Sequence, residues 1–271
     1  MAFDFQAMEA TRTMAARVRA KVADIGYDFK AAPKLDVLFC NCCGCEKYNT
    51  LATEDRYGFP IESRRCVQCG LIWISPRLTP EGYAEFYAKW YRKLSAVFTN
   101  PAASVKAQWR YADCVIPKVT VLANRSGQTC LDAGGSNGII GAKLRDRWGL
   151  KVTVLDPSPS EVAEAQERGL EAECGLIETH DFGGRTFDIV AILQSIEHFQ
   201  DIAAVFDRVS HELLSPEGLL LVDFVRTVPK LDHCYTLGTY AMSRYILDAG
   251  LVNRGVHRFW RHEFFVCERP T

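Results

Sequence analysis

The chain has 271 residues, 48% hydrophobic and 24% charged, which excludes a disordered, collagen-like or low-complexity polymer and suits one large α/β domain or two smaller ones. Its 32 Lys and Arg against 33 Asp and Glu leave a formal net charge of -1, so no global positive field exists to draw in nucleic acid or anionic lipid. No apolar run approaches the roughly 18 residues of a membrane-crossing helix, and Asp4 and Glu9 interrupt the place of a secretory signal, so the chain reads as cytosolic.

Residues 4-24 carry Met8, Met14, Ala15, Val18 and Val22 at helical spacing, which predicts a helix. Six of the 11 cysteines then crowd into positions 40–69. Cys40-Asn-Cys42-Cys43-Gly44 and Cys66-Val-Gln-Cys69-Gly70 form two C-x-x-C-G units, a spacing that presents four thiolates tetrahedrally to a structural zinc ion. In each, the glycine is expected at positive φ, freeing backbone N–H groups to face the sulfurs. Cys42 and Cys45 make a second C-x-x-C pair, but Glu46 follows it, so Cys40, Cys43, Cys66 and Cys69 are the favoured ligands while the other register stays open. Arg64, Arg65 and Arg77 flank the cluster, either as a solvated surface or as phosphate contacts.

Thr79-Pro80-Glu81 supplies an N-cap, a proline at the first helical position and an early carboxylate, predicting a helix of about four turns. Its Tyr83, Phe86, Tyr87, Trp90 and Tyr91 share a face, which serves packing or walls a pocket. A further helix is expected from about Ser104 to Ala123. From Thr129 strands alternate with helices: strands at 129-134, 151-156, 170-174, 187-193, 218-225, 251-259 and 262-268, helices near 138-148, 159-168, 200-214 and 239-249. The last two strands are joined by a short turn and must pair antiparallel.

Leu131-Asp132-Ala133-Gly134-Gly135-Ser136-Asn137-Gly138 ends a strand and opens a helix, where glycines admit a ligand to the backbone and to free helix N–H groups. The spacing is not G-x-G-x-x-G, which disfavours NAD or FAD. Asp156 closes the second strand, where a carboxylate can accept both hydroxyls of a ribose. Together the two features imply a nucleoside ligand.

With these motifs, a Phe187-Asp188 strand entry, Ile196-Glu197-His198, Ser215-Pro216-Glu217-Gly218 and the terminal hairpin, the chain resembles the class I S-adenosylmethionine-dependent methyltransferases over about residues 128-268. Cys66 to Arg77 also resembles the zinc-binding leader of bacterial small-molecule methyltransferases linked to sugar or polysaccharide modification. The resemblance implies an α/β fold: a Rossmann-like sheet of seven strands, the last one antiparallel, with a small N-terminal zinc-binding module and a helical lid. The chain then divides into an N-terminal helix (1-35), the zinc module (36-78), a helical linker and lid (79-125) and the S-adenosylmethionine-binding domain (126-271).

The resemblance further implies that Asp132, Gly134, Gly135, Ser136, Asn137 and Gly138 shape the methionine pocket and that Asp156 binds the ribose. Pro157, Leu176 and Ile177 would border the adenine, and Gln194 joins the cofactor set. Ser136 stands where the family has its middle glycine, and the acidic group that usually follows Gly175 is absent, with Glu178 as its substitute.

A sulfonium methyl needs little more than alignment and exclusion of water, but a hydroxyl or carbon acceptor also needs a base. His198, with Glu197 beside it, is the catalytic candidate by position. Asp232-His233-Cys234-Tyr235 lies where loops cover an acceptor, and Arg254, His257, Arg258, Arg261 and His262 make a locally basic strand pair. The reading is methyl transfer from S-adenosylmethionine to a small molecule, a sugar or polysaccharide precursor. The alternatives are an RNA methyltransferase gripping RNA with its zinc module, which the near-neutral charge opposes, and a non-catalytic nucleoside-binding regulator.

Overall fold

Helix α1 (Phe5–Ile25) turns Val18 and Val22 into the core. The computed structural model describes residues 5–225, 230–259 and 262–270; Asp4 and Arg261 lie outside them, as do the side chains of Met8 and Glu9. The segment after α1 forms five short strands: β1 (Lys34–Leu35), β2 (Tyr48–Ala52), β3 (Glu62–Cys66), β4 (Ile72–Ser75) and β5 (Arg77–Leu78). β2, β3 and β4 make an antiparallel meander, and β1 pairs with β5. The sequence reading placed no strands here, because inward positions of β3 are filled by Ser63 and Cys66 instead of branched apolar residues.

Thr79 Oγ1 accepts from Gly82 N at 3.2 Å and starts α2 (Pro80–Lys89), which breaks at Trp90 and resumes as α3 (Tyr91–Ser95), so the expected four-turn helix is two pieces. Asn100 caps α4 (Pro101–Val115). The expected continuation to Ala123 is replaced by two 3-10 turns, Ile116–Lys118 and Thr120–Leu122, since Pro117 has no N–H to donate and its ring crowds the preceding turn.

Chain order then runs β6 (Thr129–Ala133), α5 (Ile139–Trp148), β7 (Lys151–Asp156), α6 (Pro159–Glu167), β8 (Glu171–Cys174), β9 (Phe187–Ile192), α7 (Ile202–Arg208), β10 (Leu214–Val225), β11 (Tyr235–Thr236), α8 (Thr239–Asp248), β12 (Val252–Phe259) and β13 (His262–Glu268). After α7 the chain widens into a π-helical turn, Val209–Leu213. Seven of these strands form one sheet in the order β12-β13-β10-β9-β6-β7-β8, with β13 antiparallel to both of its neighbours, as the sequence predicts.

β11 is the exception to the sequence reading. It leaves the large sheet and adds to the N-terminal meander, Tyr235 opposite Trp73 and Thr236 opposite Ile72. One apolar cluster consequently runs from the large sheet through Phe206 and Phe224 to Tyr235, Trp73, Ile74 and Leu78 of the meander. The second face of the sheet packs on α4 and α5 through Tyr111, Val115, Leu144 and Trp148. Among the described residues no helix is long and apolar enough to cross a membrane.

Candidate functional site

The C-terminal ends of the parallel strands open into a cavity of about 940 Å³, counting the open solvent at its mouth. Gly134, Gly135, Ser136 and Asn137 of the β6–α5 loop form one side, and Asp156 and Pro157 lie beside them. Leu176, Ile177, Gln194 and His198 line it further on, with Tyr87, Tyr91 and Phe199. Ten of the thirteen predicted cofactor and catalytic residues therefore share one space.

Asp132, Gly138 and Glu197 do not line it. Asp132 is fully buried beneath the loop, and burial, then the nearby Asp156 carboxylate, pushes its carboxyl up to about 7. Gly138, at φ 77°, packs on α6 and β8's approach, where a Cβ would stand 2.8 Å from Leu170 Cδ1 and 2.9 Å from Ala165 Cβ. Gly135 leaves no space for a methyl either: its Cβ would lie 2.6 Å from Asp132 Oδ2 and 3.0 Å from Val154 Cγ1. Gly135→Ala is accordingly expected to destabilise the domain by about 1–3 kcal/mol and lower its melting temperature by about 3–10 °C in a thermal unfolding scan.

Ser136 occupies the left-handed region at φ 51° in place of the family's glycine. Its side chain offsets the strain: Oγ donates to Glu161 Oε2 at 2.8 Å, and its N–H donates to Asp156 Oδ2 at 2.9 Å. Asp156 Oδ1 accepts from Ser158 N at 2.9 Å. A carboxylate has about four lone-pair sites, so both oxygens keep capacity for further donors. Burial raises the Asp156 carboxyl to about 7, against these N–H groups that lower it. Glu178 also lines the cavity, and its Oε1 accepts from Gln200 N at 2.9 Å.

His198 is held between aromatic and polar groups. Its Nδ1 lies 3.3 Å from Tyr87 Oη, the Tyr91 ring is at 6.3 Å, and the His233 ring meets it edge-on at 4.5 Å. Burial brings its pKa down to about 4, assisted by the Lys230 charge and opposed by Asp232, so the ring is neutral at neutral pH. Glu197 is buried beside His198, with Asp223, Lys230 and His262 also near its carboxyl, and burial with the Asp223 charge raises it to about 7. Ligand atoms of Glu197, His198 and His233 come within 4.8 Å of one another, but the Lys230 ammonium, which disfavours charge on both imidazoles, opposes a dication there.

The flagged Asp232-His233-Cys234-Tyr235 segment is buried instead of solvated. Arg77 donates to Tyr235 Oη at 2.8 Å and Arg64 to Val37 O at 3.0 Å, so neither points at a phosphate. In the C-terminal pair Arg254 donates to Glu268 Oε1 at 2.7 Å and His262 Nδ1 lies 2.9 Å from Asp223 Oδ2.

The four sulfurs of Cys40, Cys43, Cys66 and Cys69 come within 4.8 Å of one another. Gly44 and Gly70 take φ of 69° and 76°, and Gln68 N and Cys69 N each approach Cys66 Sγ at 3.4 Å. Burial alone would raise that thiol, but these N–H groups prevail and bring it down to about 6. Cys42 and Cys45 stay outside this group: Cys42 Sγ neighbours Cys69 and lies 4.0 Å from Ala241 O, and Cys45 Sγ lies 3.6 Å from Lys47 O.

Gln108 of α4 also reaches the cavity, and its Oε1, like Asn137 Oδ1, is buried without a hydrogen-bond partner. Nothing in the local sequence around Gln108 marks it, because α4 is brought over the strand ends only by tertiary packing.

Comparison with known proteins agrees with this geometry. Residues 131–222 match the family model of a methyltransferase domain. Ubiquinone biosynthesis O-methyltransferases are similar: that of Methylobacterium sp. (strain 4-46) is 30% identical over 138 residues, 49% of this chain and 52% of the relative. That of Methylocella silvestris is 33% identical over 145 residues, 50% and 52%. The chain thus spans about half the length of the curated relatives it matches.

Among solved structures, an O-methyltransferase family protein from Burkholderia thailandensis superposes with a TM-score of 0.56 at 20% identity, over 70% of this chain and 63% of that one. Magnesium protoporphyrin IX methyltransferase from Synechocystis PCC 6803, solved with S-adenosylmethionine bound, gives 0.55 at 16% identity, over 69% and 95%. The glycine loop, the acidic end of β7 and the sheet order with its antiparallel β13 give the C-terminal part of the chain the class I S-adenosylmethionine-dependent methyltransferase fold, and residues 131–222 within it match a methyltransferase domain.

Proposed function

We propose that the chain transfers the methyl group of S-adenosylmethionine to a hydroxyl of a small molecule, and that His198 takes up the proton the hydroxyl releases. The observation that carries this reading is a neutral imidazole on the wall of the same cavity as the glycine loop and Asp156. The residues suit the cofactor: Asp156 has lone pairs left for ribose hydroxyls, and the unpartnered oxygens of Asn137 and Gln108 can accept from an ammonium group. Pro157, Leu176 and Ile177 would border the adenine.

When bound, the cofactor supplies a methyl already activated by the sulfonium. Tyr87, Tyr91 and Phe199 also line the cavity, where they would exclude water and could cover the face of a ring-shaped acceptor. With the methyl supplied by the cofactor, whose sulfur would keep the electron pair of the carbon–sulfur bond, the proton of the accepting hydroxyl would pass to a ring nitrogen of His198. A sugar or polysaccharide precursor presents such a hydroxyl, and the related O-methyltransferases agree with oxygen as the accepting atom. Arg64 and Arg77 are engaged inside the protein, which does not favour the RNA reading. The donor set of Cys40, Cys43, Cys66 and Cys69 fits zinc, closed to substrate and structural in role.

Calorimetric titration tests the cofactor. Saturable micromolar binding of S-adenosylmethionine, with none of NAD, is the expected result, and the reverse would sink the reading. His198→Gln is expected to bind the cofactor as the unaltered chain does while methyl transfer to a panel of nucleotide sugars and phenols falls about 10²–10⁴-fold. Equal rates would remove His198 from the chemistry, and a chain that binds but never transfers would favour the regulatory alternative.

A further inference from the structure

Residues 230–236 cross from the large sheet to the N-terminal meander and are gripped there from several sides. Asp55, in the loop between β2 and β3, accepts from Leu231 N through Oδ2 at 2.9 Å, while its Oδ1 accepts from Tyr57 N at 2.9 Å and Phe59 N at 3.0 Å. Tyr57 Oη donates to Asp232 Oδ1 at 3.2 Å, and the Lys230 ammonium pairs with Asp232 Oδ2. Tyr83 Oη donates to Leu231 O at 2.9 Å, and Ile74 N to Cys234 O at 3.1 Å. Asp55, Tyr57 and Asp232 are buried, and none of them lines the cavity.

The far end of this chain of contacts is His198: the backbone of Asp232 neighbours its ring, the His233 ring packs edge-on against it at 4.5 Å, and Cys234 Sγ approaches its carbonyl at 3.8 Å. A neutral imidazole has one N–H and one free nitrogen, and whatever holds the N–H decides which nitrogen stays free. With Asp232 taking one side of the ring, Nδ1 is left toward Tyr87 and the cavity. The ring's other charged and titratable neighbours are Lys230, His233, Tyr91 and the adjacent Glu197.

We propose that Asp55 is a positioning residue for His198: from the N-terminal module its carboxylate fixes the Leu231–Asp232 backbone, which holds the imidazole in one orientation and one tautomer. The inference rests on the reading that His198 serves the acceptor. It assigns the module a role in the chemistry beyond stability, since three backbone N–H groups of two separate loops converge on one buried carboxylate. Burial raises that carboxyl to about 6 despite the three donors, so acidification below that value should loosen the grip.

The test uses the full zinc-loaded chain with ¹⁵N-labelled histidine, reading the tautomer and titration of His198 by long-range proton–nitrogen correlation, the signals assigned by their loss in His198→Gln. The unaltered chain is expected to show a single neutral tautomer. In Asp55→Asn the amide NH₂ faces a donor in place of an acceptor, so the expected result is a mixed tautomer and a His198 midpoint moved toward the ordinary value of about 6.5. Zinc content and affinity for S-adenosylhomocysteine should stay within about twofold, which a general loss of structure would not allow. Tyr57→Phe, which deletes one hydroxyl, should move the tautomer the same way by less, and it decides the matter if Asp55→Asn does not fold.

An unchanged His198 tautomer and midpoint in the folded variants would overturn the proposal. Failure of the unaltered chain to bind S-adenosylhomocysteine would instead overturn the cofactor reading, while the Asp55 coupling would still be judged by the tautomer.

Discussion

Cys69→Ser, or removal of zinc by a chelator, is expected to unfold residues 36–78 and with them the wall behind His198. The meander is too small to hold itself by burial alone, and a four-cysteine zinc ion in such a setting contributes apparent binding energies of about 10–16 kcal/mol, comparable with the whole stability of about 5–15 kcal/mol of an ordinary domain. The Cys40 and Cys69 sulfurs lie 3.3 Å apart and those of Cys43 and Cys66 3.5 Å apart, and burial penalises the thiolate at Cys40 and Cys43, a cost that a bound zinc ion would offset.

Trp73, fully buried opposite Tyr235, should report the change as a red-shifted emission when β4 and β11 separate. Asn41 carries the disturbance further, since its side chain donates to Asp201 Oδ1 at 2.8 Å and accepts from Ala203 N at 3.2 Å and Tyr245 Oη at 3.0 Å. A zinc-free chain that keeps the Trp73 emission and its cooperative unfolding would show that the metal is dispensable.

Asp156→Asn is expected to weaken S-adenosylmethionine binding about 100-fold in a calorimetric titration while the domain stays folded. Two hydrogen bonds from ribose hydroxyls to a charged acceptor, at about 1.5–3 kcal/mol for each bond to a charged group, support a loss near 3 kcal/mol once the amide's retained oxygen is counted. The pH dependence has a definite sign. With the carboxyl raised to about 7 by burial, the ionised form that accepts both hydroxyls dominates only above that pH, so affinity should fall as pH drops below about 7 and level off above it. In Asp156→Asn this limb should flatten. Equal affinities and equal pH profiles for both proteins would remove Asp156 from ribose binding.

The same burial shapes the stability of the ligand-free chain. Asp132, Asp156 and Glu197 are each raised to about 7, so between the unfolded carboxylate range of about 4 and that value the folded state binds more protons than the unfolded one. Their contribution is full below about 4 and is lost as pH rises through about 7. Burying these carboxyls is thus a cost to the fold near neutrality.

Much of this molecule was legible in the residues. The alternation of apolar runs with helical periods from Thr129 onward and the short turn before His262 carried the sheet and its antiparallel end, and the two C-x-x-C-G units marked where four sulfurs meet. The glycine loop and Asp156 were readable for the same reason: each is a requirement of local backbone geometry at the end of one strand.

Other features were not. Asp132 and Gly138 belong to the loop motif yet sit behind it, Glu197 stays off the cavity wall that His198 lines, and the meander's strands were hidden by cysteines, Ser63 and arginines in positions where a strand shows branched apolar residues. The sequence by itself determined the strand order's local ingredients, the thiol cluster and the glycine loop, because periodicity and spacing act over a few residues. Only the tertiary structure decided that β11 leaves its own sheet to pair with β4, that Gln108 reaches the cavity, and that Asp55 meets Leu231 across 176 positions of chain, because such contacts arise when distant segments bury one another and satisfy each other's polar groups.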